Sequence, residues 1–150
     1  LRLLLLRASE GPVQAASACI AAVVTRASAF GAQVIVDGRL RSVAPEPGAG
    51  VHGEGVVDTA AERWHGVDAS TREAIGHASA AGCDYVIAGP VLPEPAPQSL
   101  AAAIGWHGLA QLTRAVPLPL FAAGGLARSD LARAQQAGAH GIVLPLTDFV

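Results

Sequence analysis

The sequence contains no lysine, no methionine and no asparagine. Without lysine there is no Schiff-base amine chemistry, and all ten basic residues are arginine. The formal charge of -2 gives no electrostatic case for nucleic acid or for an anionic membrane surface as partner. Cysteine is scarce: Cys19 and Cys83 form no Cys-x-x-Cys pair and lie in apolar stretches. Both are expected as buried, inert thiols, which suits a reducing cytoplasm. The apolar run Leu3–Leu6 is too short to span a bilayer and lacks a signal peptide's apolar core and cleavage site. Aromatic residues make up 4% and charged residues 15%, against 51% hydrophobic overall. Such a chain builds its core from small aliphatic side chains, as parallel strands covered on both faces do. At 150 residues it is long enough for one domain.

What is present is a repeated punctuation. Gly31-Ala32-Gln33 leads into Val34-Ile35-Val36, Gly82-Cys83-Asp84 into Tyr85-Val86-Ile87, and Gly138-Ala139-His140 into Gly141-Ile142-Val143-Leu144. Gly48-Ala49-Gly50 before Val51-His52 is a weaker copy. In the three clear copies an alanine-rich amphipathic stretch precedes the glycine, which predicts a helix closed by a C′ glycine, a tight turn and a short buried strand. The pattern gives strands near 2–6, 33–37, 50–52, 63–67, 84–88, 118–122 and 141–144, and helices near 13–29, 71–81, 106–115 and 129–137. Ser70-Thr71-Arg72-Glu73 has capping-box spacing for the second helix, and Ser129 is the expected N-cap of the last. Residues 39–50 read as mostly loop with one short turn, and 93–105 as a long loop. Alternating helices and apolar strands mean βαβ units in a parallel sheet. Seven strands are one short of a closed eight-stranded barrel. The absence of Gly-x-Gly-x-x-Gly after the first strand weighs against the dinucleotide-binding version of an open doubly wound sheet.

Three features could carry chemistry. In Phe121-Ala122-Ala123-Gly124-Gly125-Leu126 a strand runs into two glycines ahead of a helix. Glycines there let backbone N–H groups approach an anion, or simply make a tight strand-to-helix turn. The stretch Gly89-Pro90-Val91-Leu92-Pro93-Glu94-Pro95-Ala96-Pro97 follows a strand directly. Its prolines stiffen it, either as a ligand wall or as a rigid connector. Arg7, Asp37, His52 and Asp68 each end or follow a strand, so one rim could gather them to bind a phosphate and a metal, or leave them as salt-bridged surface groups. His65, His77, His107 and His140 show no metal-ligand spacing and read as surface or satisfied core residues.

With these residues in view the chain resembles the thiamine-phosphate synthase and TenI family, and is most similar to the degenerate TenI-like domains that follow a Nudix hydrolase domain. The stretches that carry the resemblance are Ala81-Gly82-Cys83-Asp84-Tyr85-Val86-Ile87-Ala88-Gly89-Pro90-Val91-Leu92-Pro93, Gly105-Trp106-His107-Gly108-Leu109, Pro119-Leu120-Phe121-Ala122-Ala123-Gly124-Gly125-Leu126 and Ala137-Gly138-Ala139-His140-Gly141-Ile142. Gly50-Val51-His52 matches the family's Gly-Val-His strand. The resemblance implies a (β/α)8 TIM barrel whose first strand and helix are lacking in residues 1–150, so that the domain begins about 25–35 residues upstream, one strand–helix unit.

It also implies a ligand of the thiazole-phosphate or thiamine-phosphate type, thiamine-phosphate synthase or thiazole tautomerase chemistry if the chain is active, and Mg²⁺. The matching positions are worn. The family's Gln-Leu-Arg-acidic-Lys segment falls on Leu5-Leu6-Arg7-Ala8-Ser9, keeping the Leu and Arg. Its Asn-Asp pair falls on Asp37-Gly38, which puts glycine at the metal carboxylate, and the second metal carboxylate would have to come from Glu54 or Asp58. The pyrimidine-side Ser falls on Asp68, and the tautomerase His on Ser70. The ligand loop opens at Gly89, and its Thr-Pro-Thr-Lys falls on Glu94-Pro95-Ala96-Pro97. The phosphate-binding glycine falls on Gly124, with Gly125 beside it, and the last backbone site on Pro145-Leu146. Expected partners are a small phosphorylated ligand and either a second copy of the chain or a fused Nudix domain.

Overall fold

Runs of small aliphatic residues make the strands, and glycines end the helices between them. In the computed structural model the described residues are 3–7, 17–43, 50–53, 64–94, 102–114 and 116–145. They form β1 (Leu3–Leu6), α1 (Ser17–Ala29), β2 (Gln33–Asp37), a 3-10 turn (Gly38–Val43), β3 (Gly50–His52), β4 (His65–Asp68), α2 (Arg72–Ala80) and β5 (Tyr85–Ala88). α3 (Gly105–Arg114), β6 (Leu120–Ala122), a second 3-10 turn (Arg128–Asp130), α4 (Leu131–Gln136) and β7 (Gly141–Ile142) follow. The chain divides into two units, residues 1–66 and 67–150.

In the first unit β1, β2, β3 and the start of β4 lie side by side and parallel, with Leu4 beside Val34, Val36 beside Val51 and Val51 beside His65. β2 buries Val34, Ile35 and Val36 in succession, the mark of a strand covered on both faces. Ile20 of α1 packs on Val34, Val36, Leu40 and Val51, with Val24 and Ala27 beside it. Positions 20, 24 and 27 are one helical stripe. Cys19 is a residue off that stripe and is exposed, contrary to the expected buried thiol.

In the second unit β5, β6 and β7 are parallel, with Ile87 beside Phe121 and Phe121 beside Gly141. The end of β4 is fixed to β5 where Ala69 N–H donates to the Ile87 carbonyl at 2.8 Å. Ile75 and Ala78 of α2, Leu109 and Leu112 of α3 and Ala134 of α4 cover Val86, Ala88, Leu120 and Ala122. Burying a side chain such as Ile75 or Leu109 contributes about 1.5–3 kcal/mol.

The glycine repeat has one geometry three times. Gly31, Gly82 and Gly138 take φ of +67°, +79° and +94°. Each donates its N–H three residues back, while the next residue (Ala32, Cys83, Ala139) donates five back, to Ala27, Ala78 and Ala134. That is the Schellman closure, which needs a left-handed residue at C′.

The caps differ from expectation at both serines. Thr71 caps α2, its Oγ1 accepting from Ala74 N–H at 3.1 Å, so Ser70 is released for another task. Before α4 the chain first makes a 3-10 turn, and Asp130 Oδ2 accepts from Ala127 N–H at 2.9 Å. α4 therefore starts after Asp130, and Ser129 lies inside the turn instead of capping the helix.

Candidate functional site

In each unit the strand C-termini present the candidate residues. In the first, register sets Asp37 beside His52, while Arg7 follows Leu6, whose neighbour is Val36. Arg7, Asp37 and His52 thus share one row. Arg7 Nη2 lies 3.5 Å from Nε2 of the buried His52. Asp37 turns to its own strand end: Oδ1 accepts from Arg39 N–H at 2.9 Å and Nε at 3.2 Å, and Oδ2 from Nη2 at 3.2 Å. The hydrogen bond to Asp37, then its charge, raises the pKa of the exposed Arg39 above its ordinary value. Buried His65 sits with Nε2 3.4 Å from the Gly53 carbonyl.

In the second unit the site is backbone. Gly124 and Gly125 take φ of +84° and +65°. A Cβ on Gly124 would lie 2.5 Å from Pro90 Cα, and one on Gly125 would lie 2.5 Å from the Leu92 carbonyl oxygen. The Gly-Gly turn is therefore the floor on which residues 90–93 rest, held by Val91 N–H to the Ala123 carbonyl (2.8 Å) and Leu92 N–H to the Gly124 carbonyl (3.1 Å). Ile104 and Gly105 N–H groups close the other side on the Pro90 and Val91 carbonyls.

Ser70 secures the start of this loop. Its hydroxyl donates to the Gly89 carbonyl at 2.6 Å and accepts from Gly89 N–H at 3.0 Å. Sequence reasoning placed Ser70 where tautomerases carry a catalytic histidine; here both hydrogen-bonding roles of its hydroxyl are taken up by one residue. At the loop's far end Glu94 Oε1 accepts from Gly125 N–H at 3.3 Å.

Of the other expected residues, Asp68 is an exposed strand end and Pro145 is exposed beyond β7. Glu54, Asp58, Ala96 and Leu146 lie outside the described residues. His77, His107 and His140 are exposed; His107 pairs with Gln111 at 3.0 Å. Among the described residues no three His, Cys, Asp or Glu side chains gather as metal ligands. Asp37, tied to Arg39 with Gly38 next to it, is a poor fit for Mg²⁺, and the described residues supply no step through that ion. Cys83 is buried, and burial, then the charge of Asp84, pushes its thiol pKa up; such a thiol is a weak nucleophile. Among the described residues no helix is long and apolar enough to cross a membrane.

This parallel α/β arrangement has close counterparts. Residues 1–145 match the family model for thiamine monophosphate synthase. The chain belongs to the thiamine-phosphate synthase/TenI family. It is 34% identical over 148 residues to a thiamine-phosphate synthase from Myxococcus xanthus, covering 93% of this chain and 67% of that one. Against a relative from Geobacter sulfurreducens it is 31% identical and spans only 58% of that protein's length. Thiamine phosphate pyrophosphorylase from Pyrococcus furiosus superposes with a TM-score of 0.77 over 95% of this chain and 71% of its own, at 20% identity. An N-acetylmannosamine-6-phosphate 2-epimerase from Clostridium perfringens gives 0.55 at 18% identity. Those likenesses fix the fold as an α/β fold of the TIM type.

Proposed function

We propose that the chain grips the phosphate of a thiazole-phosphate or thiamine-phosphate type ligand at the Gly124–Gly125 turn, and that it turns over little or no thiamine phosphate. One observation carries the first half: Gly125 N–H, in the turn that ends β6, already points at an anionic oxygen, that of Glu94. An N–H presented to a carboxylate can be presented to a phosphate. The second half rests on what surrounds it. Departure of a diphosphate needs its charge neutralised by cations or metal. Here lysine is absent throughout, and Asp37 holds Arg39 through both carboxylate oxygens. Losing one such contact typically costs about 10²–10³-fold in rate, and several are missing together. Arg7, Asp37 and Asp68 are the remaining candidates for a residual catalytic role, with Gly89 and Ala96 in the ligand loop and Pro145 and Leu146 at the second backbone contact.

The test is a titration of ¹⁵N-labelled protein with thiamine phosphate. Saturable shifts centred on the Gly124 and Gly125 amides support the grip; a folded protein whose Gly124 and Gly125 signals do not move would remove it. Gly124→Asp is a poor substitute for this test, since its Cβ would strike the Pro90 backbone.

The resemblance favours a second reading, a non-catalytic regulatory or structural module attached to a Nudix hydrolase, in which an upstream strand–helix unit would complete a (β/α)8 barrel. The gene sequence upstream of Leu1 decides that reading, and size measurements of the purified protein test for a homodimer.

A further inference from the structure

Glu94 stands where the resembling family carries a hydroxyl residue, and a carboxylate beside a phosphate site is at first sight a defect. Its geometry suggests a purpose. Glu94 Oε1 is 3.3 Å from Gly125 N–H, and a Cβ on Gly124 would lie 3.5 Å from the same oxygen. The carboxylate oxygen thus lies at Gly125 N–H and on the side of Gly124 that also faces Pro90. Glu94 reaches it from the loop that the Ser70 hydroxyl and the Ala123 and Gly124 carbonyls hold by hydrogen bonds to the backbone of Gly89, Val91 and Leu92. We propose that Glu94 is a built-in competitor for the anion site: it satisfies Gly125 N–H in the free protein and sets which anions enter.

The consequence is selectivity. An entering anion must displace a carboxylate from the N–H and tolerate its charge nearby. A singly charged carboxylate ligand gains nothing by the exchange, because it replaces like with like. A phosphate dianion, free or as a monoester, offers several strong acceptor oxygens and more charge to the same N–H groups, so it profits from displacement where a carboxylate does not. The ligand class selected is a dianionic phosphate group, and the affinity is held down by the occupant. This inference rests on the phosphate grip proposed above.

The experiment compares wild type with Glu94→Gln and Glu94→Ala, loop variants that leave the core untouched. Two readouts are taken: exchange of the Gly125 amide with solvent, and binding of inorganic phosphate and of acetate by calorimetry. The expected results are several-fold faster Gly125 exchange in Glu94→Ala, phosphate affinity raised about 3–10-fold with Glu94→Gln between, and acetate binding visible only in Glu94→Ala. Unchanged Gly125 exchange overturns the occupancy of the site by Glu94. Phosphate binding equally tight in all three proteins overturns the competition while leaving the grip standing. Phosphate binding to none of them removes the grip and this inference together.

Discussion

The two units end their strands in different materials. In residues 1–66 the strand ends carry paired side chains: Asp37 with Arg39 of opposite charge, and Arg7 beside the His52 ring. In residues 67–150 the strand end is made of backbone, with two left-handed glycines under a loop that Ser70 and Ala123 hold in place. The two kinds of strand end differ in how freely their residues can change. A backbone site depends on φ angles and close approach, which few residues other than glycine satisfy. A side-chain site can be rewritten one residue at a time without disturbing the fold.

The sharpest way to break this comparison is to burden the backbone site and the side-chain site in turn. Gly125→Ala adds a Cβ at a φ of +65° and 2.5 Å from the Leu92 oxygen; urea unfolding should show a loss of about 2–4 kcal/mol. Arg39→Ala removes an exposed ion pair and should leave the unfolding midpoint where it was. Equal effects would erase the distinction. A smaller loss is expected from Ser70→Ala, which removes the hydroxyl bonded to both the N–H and the carbonyl of Gly89; about 1–3 kcal/mol is anticipated, together with faster exchange of the Gly89 amide. Thr71→Ala removes the α2 cap and should cost about 1 kcal/mol in the same measurement. The mildest test is chemical. A thiol reagent at neutral pH should modify Cys19 promptly in the folded protein and Cys83 only on unfolding, because Cys19 is exposed while Cys83 is buried with its pKa raised. Two thiols reacting at one rate would contradict the packing of α2 against β5.

Much of this was legible from sequence. All seven strands and the glycine closures follow local rules, since a C′ glycine, a short apolar run and an alanine-rich stripe each act within a few residues. The Gly124–Gly125 turn was visible for the same reason. What stayed hidden depended on phase or on distance. Cys19 misses the buried stripe of α1 by one residue, a rotation of about 100°. Ser129 does not cap α4 because the chain inserts a 3-10 turn first, and Asp130, at the N-cap position, turns its carboxylate back to Ala127 N–H. Ser70 finds Gly89 nineteen positions away, and Glu94 finds Gly125 thirty-one away; no spacing rule links such pairs. The glycine pair also proved to have a structural reason of its own, the approach of residues 90–93, which sequence spacing could not separate from an anion cradle.

The central claim is a phosphate grip stripped of its catalytic partners. It is tested most directly by incubating the purified protein with the diphosphate-bearing pyrimidine, the thiazole phosphate and Mg²⁺, and measuring thiamine phosphate. The account predicts no product above the uncatalysed background even where thiamine phosphate itself binds at Gly125. Sustained turnover above that background would contradict it.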